Sequence, residues 1–225
     1  MRIFSGITDF FNEFADDPLK AVITLGYLAV CILFSLILHE CAHGFVALKC
    51  GDPTAKMMGR LTLYPRKHLD PIGTICMLLL RIGWAKPVPI NPNNFRNYRR
   101  DYILVSLAGI FANLIVFLLS TVITVLIYKY AEAQWLSYVF QFFLMLAQMN
   151  LSLAIFNLLP VPPLDGYRFL DQFVFKGSLS MNRQTMQIIQ IIFLVVCISG
   201  LLNGLLSTVN SNIFNAVFRF VFRIL

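Results

Sequence analysis

His39 and His43 stand four residues apart in the run His39-Glu40-Cys41-Ala42-His43, an H-E-x-x-H pattern within an otherwise apolar stretch. Helical residues four apart share a face, so both imidazoles can reach one zinc ion at about 2.0 to 2.1 Å while Glu40 lies beside the water that the metal activates. Zinc draws the pKa of such a water down toward about 7 and polarises a carbonyl; a neighbouring carboxylate takes the water proton and returns it to the leaving amine. Each residue type is therefore required for its own reason, and together they describe metal-assisted hydrolysis.

The surroundings sharpen this reading. Residues 21 to 48 would form an ordinary membrane span but for His39, Glu40 and His43. An ionised side chain at membrane depth costs at least about 2.5 to 3.5 kcal/mol on insertion scales, so such a group needs a ligand or a partner.

Catalytic zinc commonly takes three protein ligands and keeps a fourth position for water. Asp165, the only acid between Glu132 and Asp171, is the favoured third ligand. It follows a run, Leu158 to Gly166, in which Pro160, Pro162 and Pro163 forbid a regular helix. His68 and Asp70, in Lys67-His68-Leu69-Asp70-Pro71, compete for the role, or else cap the turn before the next apolar segment.

The elements that must carry these residues are membrane helices. Of 225 residues, 58% are hydrophobic and 13% charged, which no ordinary soluble domain matches. Residues 102 to 128, 133 to 164 and 184 to 218 hold no Asp, Glu, Lys, Arg or His. Each exceeds the roughly 20 residues that a helix needs to cross hydrocarbon. The expected fold is an all-α polytopic membrane protein with about four transmembrane helices, near 21–49, 102–128, 135–157 and 186–206. A re-entrant or β-strand-like membrane segment joins the first two. Its apolar part is Pro71 to Leu80, flanked by the strand-like pieces Gly59 to Tyr64 and Lys86 to Asn91. Residues 1–20 are expected to form an interfacial segment, 21–206 the transmembrane core and 207–225 a C-terminal amphipathic segment.

The net charge of +7 is concentrated between Lys49 and Arg100, where ten Lys and Arg face Asp52 and Asp70. In a membrane chain this predicts a cytoplasmic loop rather than a nucleic-acid surface, with the N-terminus outside and the histidines two to three turns from the cytoplasmic end of their helix. The first apolar run begins only at Ala21, with no basic leader or cleavage site before it, so the first span is expected to serve as its own targeting signal. The five cysteines, an odd number without a C-x-x-C pair, read as reduced packing thiols.

Several runs, taken in order, carry a family resemblance: HECAHG from His39, GRLTLYPRKHLDPIGT from Gly59, GWAKPVPIN from Gly83, AGIFANL around Gly109 to Asn113, and NLLPVPPLDG from Asn157. Over roughly residues 35 to 170 the chain resembles the site-2 proteases, in their compact bacterial-type branch without PDZ or CBS domains. The resemblance implies that His39, His43 and Asp165 bind one Zn²⁺ per chain, that Glu40 is the catalytic base, and that Asn113 and Asn157 lie near the substrate or its oxyanion. It further implies that an unwound substrate pairs with the strand-like pieces, through Gly59, Leu61 and Thr62 in the first and Pro87, Val88, Pro89 and Asn91 in the second. Ile110 replaces the proline usual in that family's Gly-Pro-x-x-Asn motif, and Tyr64 stands where Asn is common.

The implied activity is that of a zinc metalloendopeptidase cutting in or near transmembrane segments, for regulated intramembrane proteolysis or clearance of signal-peptide remnants. The implied partners are transmembrane protein substrates and the lipid bilayer, not nucleic acid, with a homo-oligomer left open. The implied location is a bacterial inner membrane, with the active site toward the cytoplasm. Two rival classes remain: a divalent-metal transporter that uses the same three ligands in transit, and a catalytically inactive scaffold.

Overall fold

A computed structural model describes residues 14–70, 73, 86–130, 132–133, 135–179 and 181–225. The first long helix, α1, runs Pro18–Cys50. Asp17 caps it by accepting from the Lys20 N–H at 3.1 Å, with Pro18 in the first turn where no N–H is needed. Gly51, at φ 110°, ends it in the left-handed conformation. Helix α2, Tyr98–Tyr130, and helix α3, Leu136–Asn157, follow. These three helices are long and apolar enough to cross a membrane. At 1.5 Å per residue, the 33 residues of α1 and of α2 span about 50 Å, more than the hydrocarbon thickness, so both tilt or emerge from it.

The expected fourth span divides. Helix α5, Arg183–Ser199, has 17 residues and stops at Gly200, whose φ of 76° turns the chain. Helix α6, Asn203–Ile224, then packs along α2 and α3. Phe214 and Val217 pack against a core of Phe117, Ala147 and Leu151, and Tyr130 donates its hydroxyl to Leu225 O at 3.2 Å. Much of the 207–225 tail thus belongs to the bundle. A charge-free run cannot announce this, because the Gly200 turn lies inside it.

Among the described residues there is no strand. Gly59 to Tyr64 holds a turn and a bend, and Lys86 to Asn91 is irregular backbone with no ladder partner among the described residues, in which Pro87, Pro89 and Pro92 keep the residues before them extended. The expected re-entrant segment 71–80 lies almost wholly outside the described residues, as does most of 1–20.

α1, α2 and α3 pack against one another. Between α1 and α3, Asn150 donates to Ser35 Oγ at 2.8 Å, with both residues fully buried. Tyr27 meets Phe142 edge to face nearby. Such interhelical hydrogen bonds contribute about 0.6 to 1.7 kcal/mol in lipid, where small residues such as the buried Ala147 let backbones approach. The described cysteines 31, 41, 50 and 197 are free thiols.

Beyond α3 the chain breaks over residues 158–164 and restarts as a short helix, α4, Asp165–Phe173, packed on α2. Arg99 holds the far end of α4 by donating to Gln172 O at 2.9 Å and Phe173 O at 3.0 Å, placing a cation where the helix dipole favours one. Gly166 explains the near end. A Cβ there would stand 2.7 Å from Leu159 O and closer still to Leu158 O, so only glycine lets the helix start fold back on the broken stretch.

Candidate metal centre

His39 and His43, one turn apart on α1, turn their Nε2 atoms toward Asp165, the first residue of α4. His39 Nε2 and His43 Nε2 are 3.1 Å apart. Asp165 Oδ2 lies 3.2 Å from the first and 3.0 Å from the second. All three residues are buried. Asp165 Oδ2 is close to two imidazole nitrogens yet in hydrogen-bonding geometry with neither, which leaves a buried carboxylate oxygen without a hydrogen-bond partner. Donors held 2.0 to 2.1 Å from one tetrahedral zinc stand about 3.4 Å apart, so this near-equilateral triangle fits such an ion with a small outward relaxation. Its two nitrogens and one carboxylate oxygen are a donor set that zinc accepts.

Three features make room for the triangle and orient it. Gly109 of α2 faces both rings: a Cβ there would lie 2.6 Å from His39 Nδ1 and closer to His43 Nε2. The outer nitrogen of His43, Nδ1, bonds to Val105 O at 2.7 Å, and that of His39 lies 3.2 Å from Asn113 Nδ2. Arg168 approaches the other oxygen of Asp165, Nη1 to Oδ1, at 3.8 Å.

Glu40 accepts the backbone N–H of Val88 at 2.7 Å, which fastens the extended piece to the helix that carries the histidines. Gly44 permits the approach, since a Cβ there would meet Leu61 Cδ2 at 2.6 Å and Val88 Cγ1 at 3.0 Å. Arg60 donates to Lys86 O at 2.7 Å and to Pro87 O at 3.1 Å. At the far end of the piece, Asp52 accepts from the Asn91 N–H at 2.7 Å, the Asn94 amide at 2.8 Å, the Thr54 N–H at 3.1 Å and the Thr54 hydroxyl. Burial would raise the Asp52 carboxyl, but these hydrogen bonds outweigh it and hold the group below the usual carboxylate range.

The other sequence-derived residues separate clearly. His68, a competitor for third ligand, is buried and has its Nε2 2.7 Å from Thr62 O, while Asp70 accepts from Gly73 N–H at 2.8 Å. Neither joins the triangle. The Thr62 carbonyl also accepts from the Cys41 thiol at 3.3 Å. Leu61 and Val88 lie against Gly44, and Pro87, Pro89 and Asn91 lie on the extended piece. Gly59 turns the chain at φ 61°. Asn157 donates its amide to Leu153 O of its own helix at 3.0 Å. The sequence assigns no site role to Gly109, Arg60, Asp52 or Arg168; of these, only Gly109 carries a signal, its place at the head of the Gly-x-x-x-Asn run that ends at Asn113.

Comparison with known proteins gives the same family from several directions. The family model "Peptidase family M50" matches residues 119–200, a stretch that includes Asp165 but not the two histidines. "Putative zinc metalloprotease YwhC" of Bacillus subtilis is 43% identical over 178 residues, covering 78% of this chain and 81% of its own. "Putative zinc metalloprotease Rip2" of Mycobacterium tuberculosis is 36% identical over 146 residues, 62% of this chain and 54% of its own. The Mycolicibacterium smegmatis protein of the same name is 32% identical over 166 residues, 70% of this chain and 62% of its own. No solved structure matches.

Proposed function

This chain belongs to peptidase family M50, the site-2 proteases, as an integral membrane zinc metalloprotease, and on that premise we propose that it cuts peptide bonds in or beside the membrane-spanning segments of other proteins, in regulated intramembrane proteolysis or in clearing signal-peptide remnants. We assign His39, His43 and Asp165 as the zinc ligands and Glu40 as the base. The concentration of Lys and Arg between residues 49 and 100 favours a site toward the cytoplasmic face.

The observation that carries the reading is the triangle of Nε2, Nε2 and Oδ2 with edges of 3.0 to 3.2 Å, buried between α1 and α4. Zinc bound there would supply Lewis acidity, activating water near neutral pH and polarising the scissile carbonyl. The rest is the work of side chains. Glu40 accepts the proton of the attacking water and passes it to the departing amine, while Val88 N–H fixes one of its oxygens. Gly109 keeps the space between the rings and α2 clear. The extended piece 86–91 stands beside Glu40 with its first carbonyls gripped by Arg60, so its position is set before substrate arrives. A substrate helix must lose its own i to i+4 bonds before attack, and an extended backbone next to the base can replace some of them. Gly59 to Thr62 and Pro87 to Asn91 are the pieces we assign to that contact, with Asn157 at the edge of the broken stretch.

A transit pathway would need further ligands along the bundle. Among the described residues the buried hydroxyls of Ser35, Ser106, Thr121 and Thr124 each donate to a carbonyl of their own helix, and the triangle is the one cluster of metal-binding type. The deciding experiment uses purified protein and a single-span substrate. Glu40→Gln should keep zinc and fold while cleavage falls below detection; undiminished cleavage would end the proposal.

A further inference from the structure

Val105, Gly109 and Asn113 recur every four residues and so line one face of α2. That face meets the outer edges of both imidazoles. Val105 contributes a carbonyl 2.7 Å from His43 Nδ1. A carbonyl can only accept, so His43 carries its proton on Nδ1 and turns the Nε2 lone pair into the triangle. Asn113 holds the corresponding place at His39, with its amide 3.2 Å from Nδ1. It is fully buried, and its Oδ1 has no hydrogen-bond partner.

The two orientations of that amide have opposite consequences. With Nδ2 toward the ring, His39 Nδ1 must accept, so its proton sits on Nε2 and points into the triangle. With Oδ1 toward the ring, Nδ1–H donates and the Nε2 lone pair faces Asp165 Oδ2 and His43 Nε2, as His43 already does. The two orientations differ by a half-turn that exchanges atoms of nearly equal size. Only the second lets a neutral His39 bind a cation.

We propose that Asn113 is a positioning residue of the metal centre: its Oδ1 accepts from His39 Nδ1–H, selects the tautomer that can ligate, and matches the role of Val105 O at His43. This rests on the assignment of His39, His43 and Asp165 as ligands. It gives Asn113 a role apart from substrate, consistent with its lack of exposed surface.

The test compares the full-length protein with Asn113→Leu, which removes the acceptor at similar volume, and Asn113→Asp, which accepts but cannot donate. Zinc affinity is measured by chelator competition, and the visible spectrum of the cobalt-loaded protein reports the ligand field. Asn113→Leu should bind zinc about 10- to 100-fold more weakly and shift the cobalt bands, and Asn113→Asp should restore both. An aspartate variant as weak as the leucine variant would overturn the proposal, because the native contact would then be donation by the amide. A leucine variant with wild-type affinity would overturn it as well. If the leucine variant does not fold, the aspartate variant still decides. His39→Ala separates the premise from the inference: wild-type zinc affinity in that variant would refute the ligand assignment itself.

Discussion

Val88 gives its backbone N–H to the Glu40 carboxylate at 2.7 Å, which joins the residue beside the histidine pair and the extended piece 86–91 into one hydrogen-bonded unit. Pro87 and Pro89 have no N–H, and the Lys86 and Pro87 carbonyls are held by Arg60. Val88 therefore supplies the contact through which the backbone of this piece reaches Glu40 directly.

Arg60→Met should loosen that unit without touching the triangle. A hydrogen bond from a charged donor contributes about 1.5 to 3 kcal/mol, so a loss of one bond's worth in the transition state lowers kcat/KM roughly 10- to 100-fold. Zinc content, measured by mass spectrometry on the purified variant, should stay at the wild-type level.

Gly109→Ala places a methyl group against both imidazoles, where helix backbone on one side and ring atoms on the other leave no flexible neighbour to yield. Zinc retention under chelator challenge should drop at least about tenfold, in the range seen when the supporting groups of a metal site are lost. Helical content by circular dichroism should be unchanged. Full zinc retention would mean that α2 lies farther from the histidines than described.

Gly166→Ala acts through backbone, since the added carbon meets Leu158 O and Leu159 O. Asp165 would be pushed out of place, so thermal stability and zinc content should fall together. A variant that loses neither would contradict the fold-back at the start of α4.

Asp52 supplies the pH prediction. Its folded-state pKa is depressed, so its contribution is fully present above the unfolded value of about 3.9 and is lost as pH falls through the folded value. Thermal unfolding in detergent between pH 6 and pH 3 should show wild-type stability declining toward the acid end. Asp52→Asn should be less stable at pH 6, by about 1 to 3 kcal/mol, and less dependent on pH across the same range.

The clustering of His39, His43 and Asp165 was legible where chemistry and helical period coincide. Two histidines four apart in one apolar run need no tertiary information to share a face, and a carboxylate after three prolines stands out in a chain with so few acids. What could not be read depends on contacts between elements. Gly109 is important because α1 crosses α2 at that point, and Arg60 because the carbonyls of Lys86 and Pro87 come within its reach. The apolar stretch after Arg183 looked like one span and a tail, but Gly200 divides it, and the aromatic residues of the tail find Phe117 and Tyr128 on α2. Asn157 donates its amide to Leu153 O within α3, which fixes its side chain at the edge of the broken stretch.

The central claim is that Asp165 closes a metal site begun by His39 and His43. Zinc per chain in purified wild-type protein and in Asp165→Ala, after equal exposure to a chelator, tests it most directly. The account predicts close to one zinc in the wild type and almost none in the variant, with helical content retained in both; an alanine variant that keeps its full zinc would contradict it.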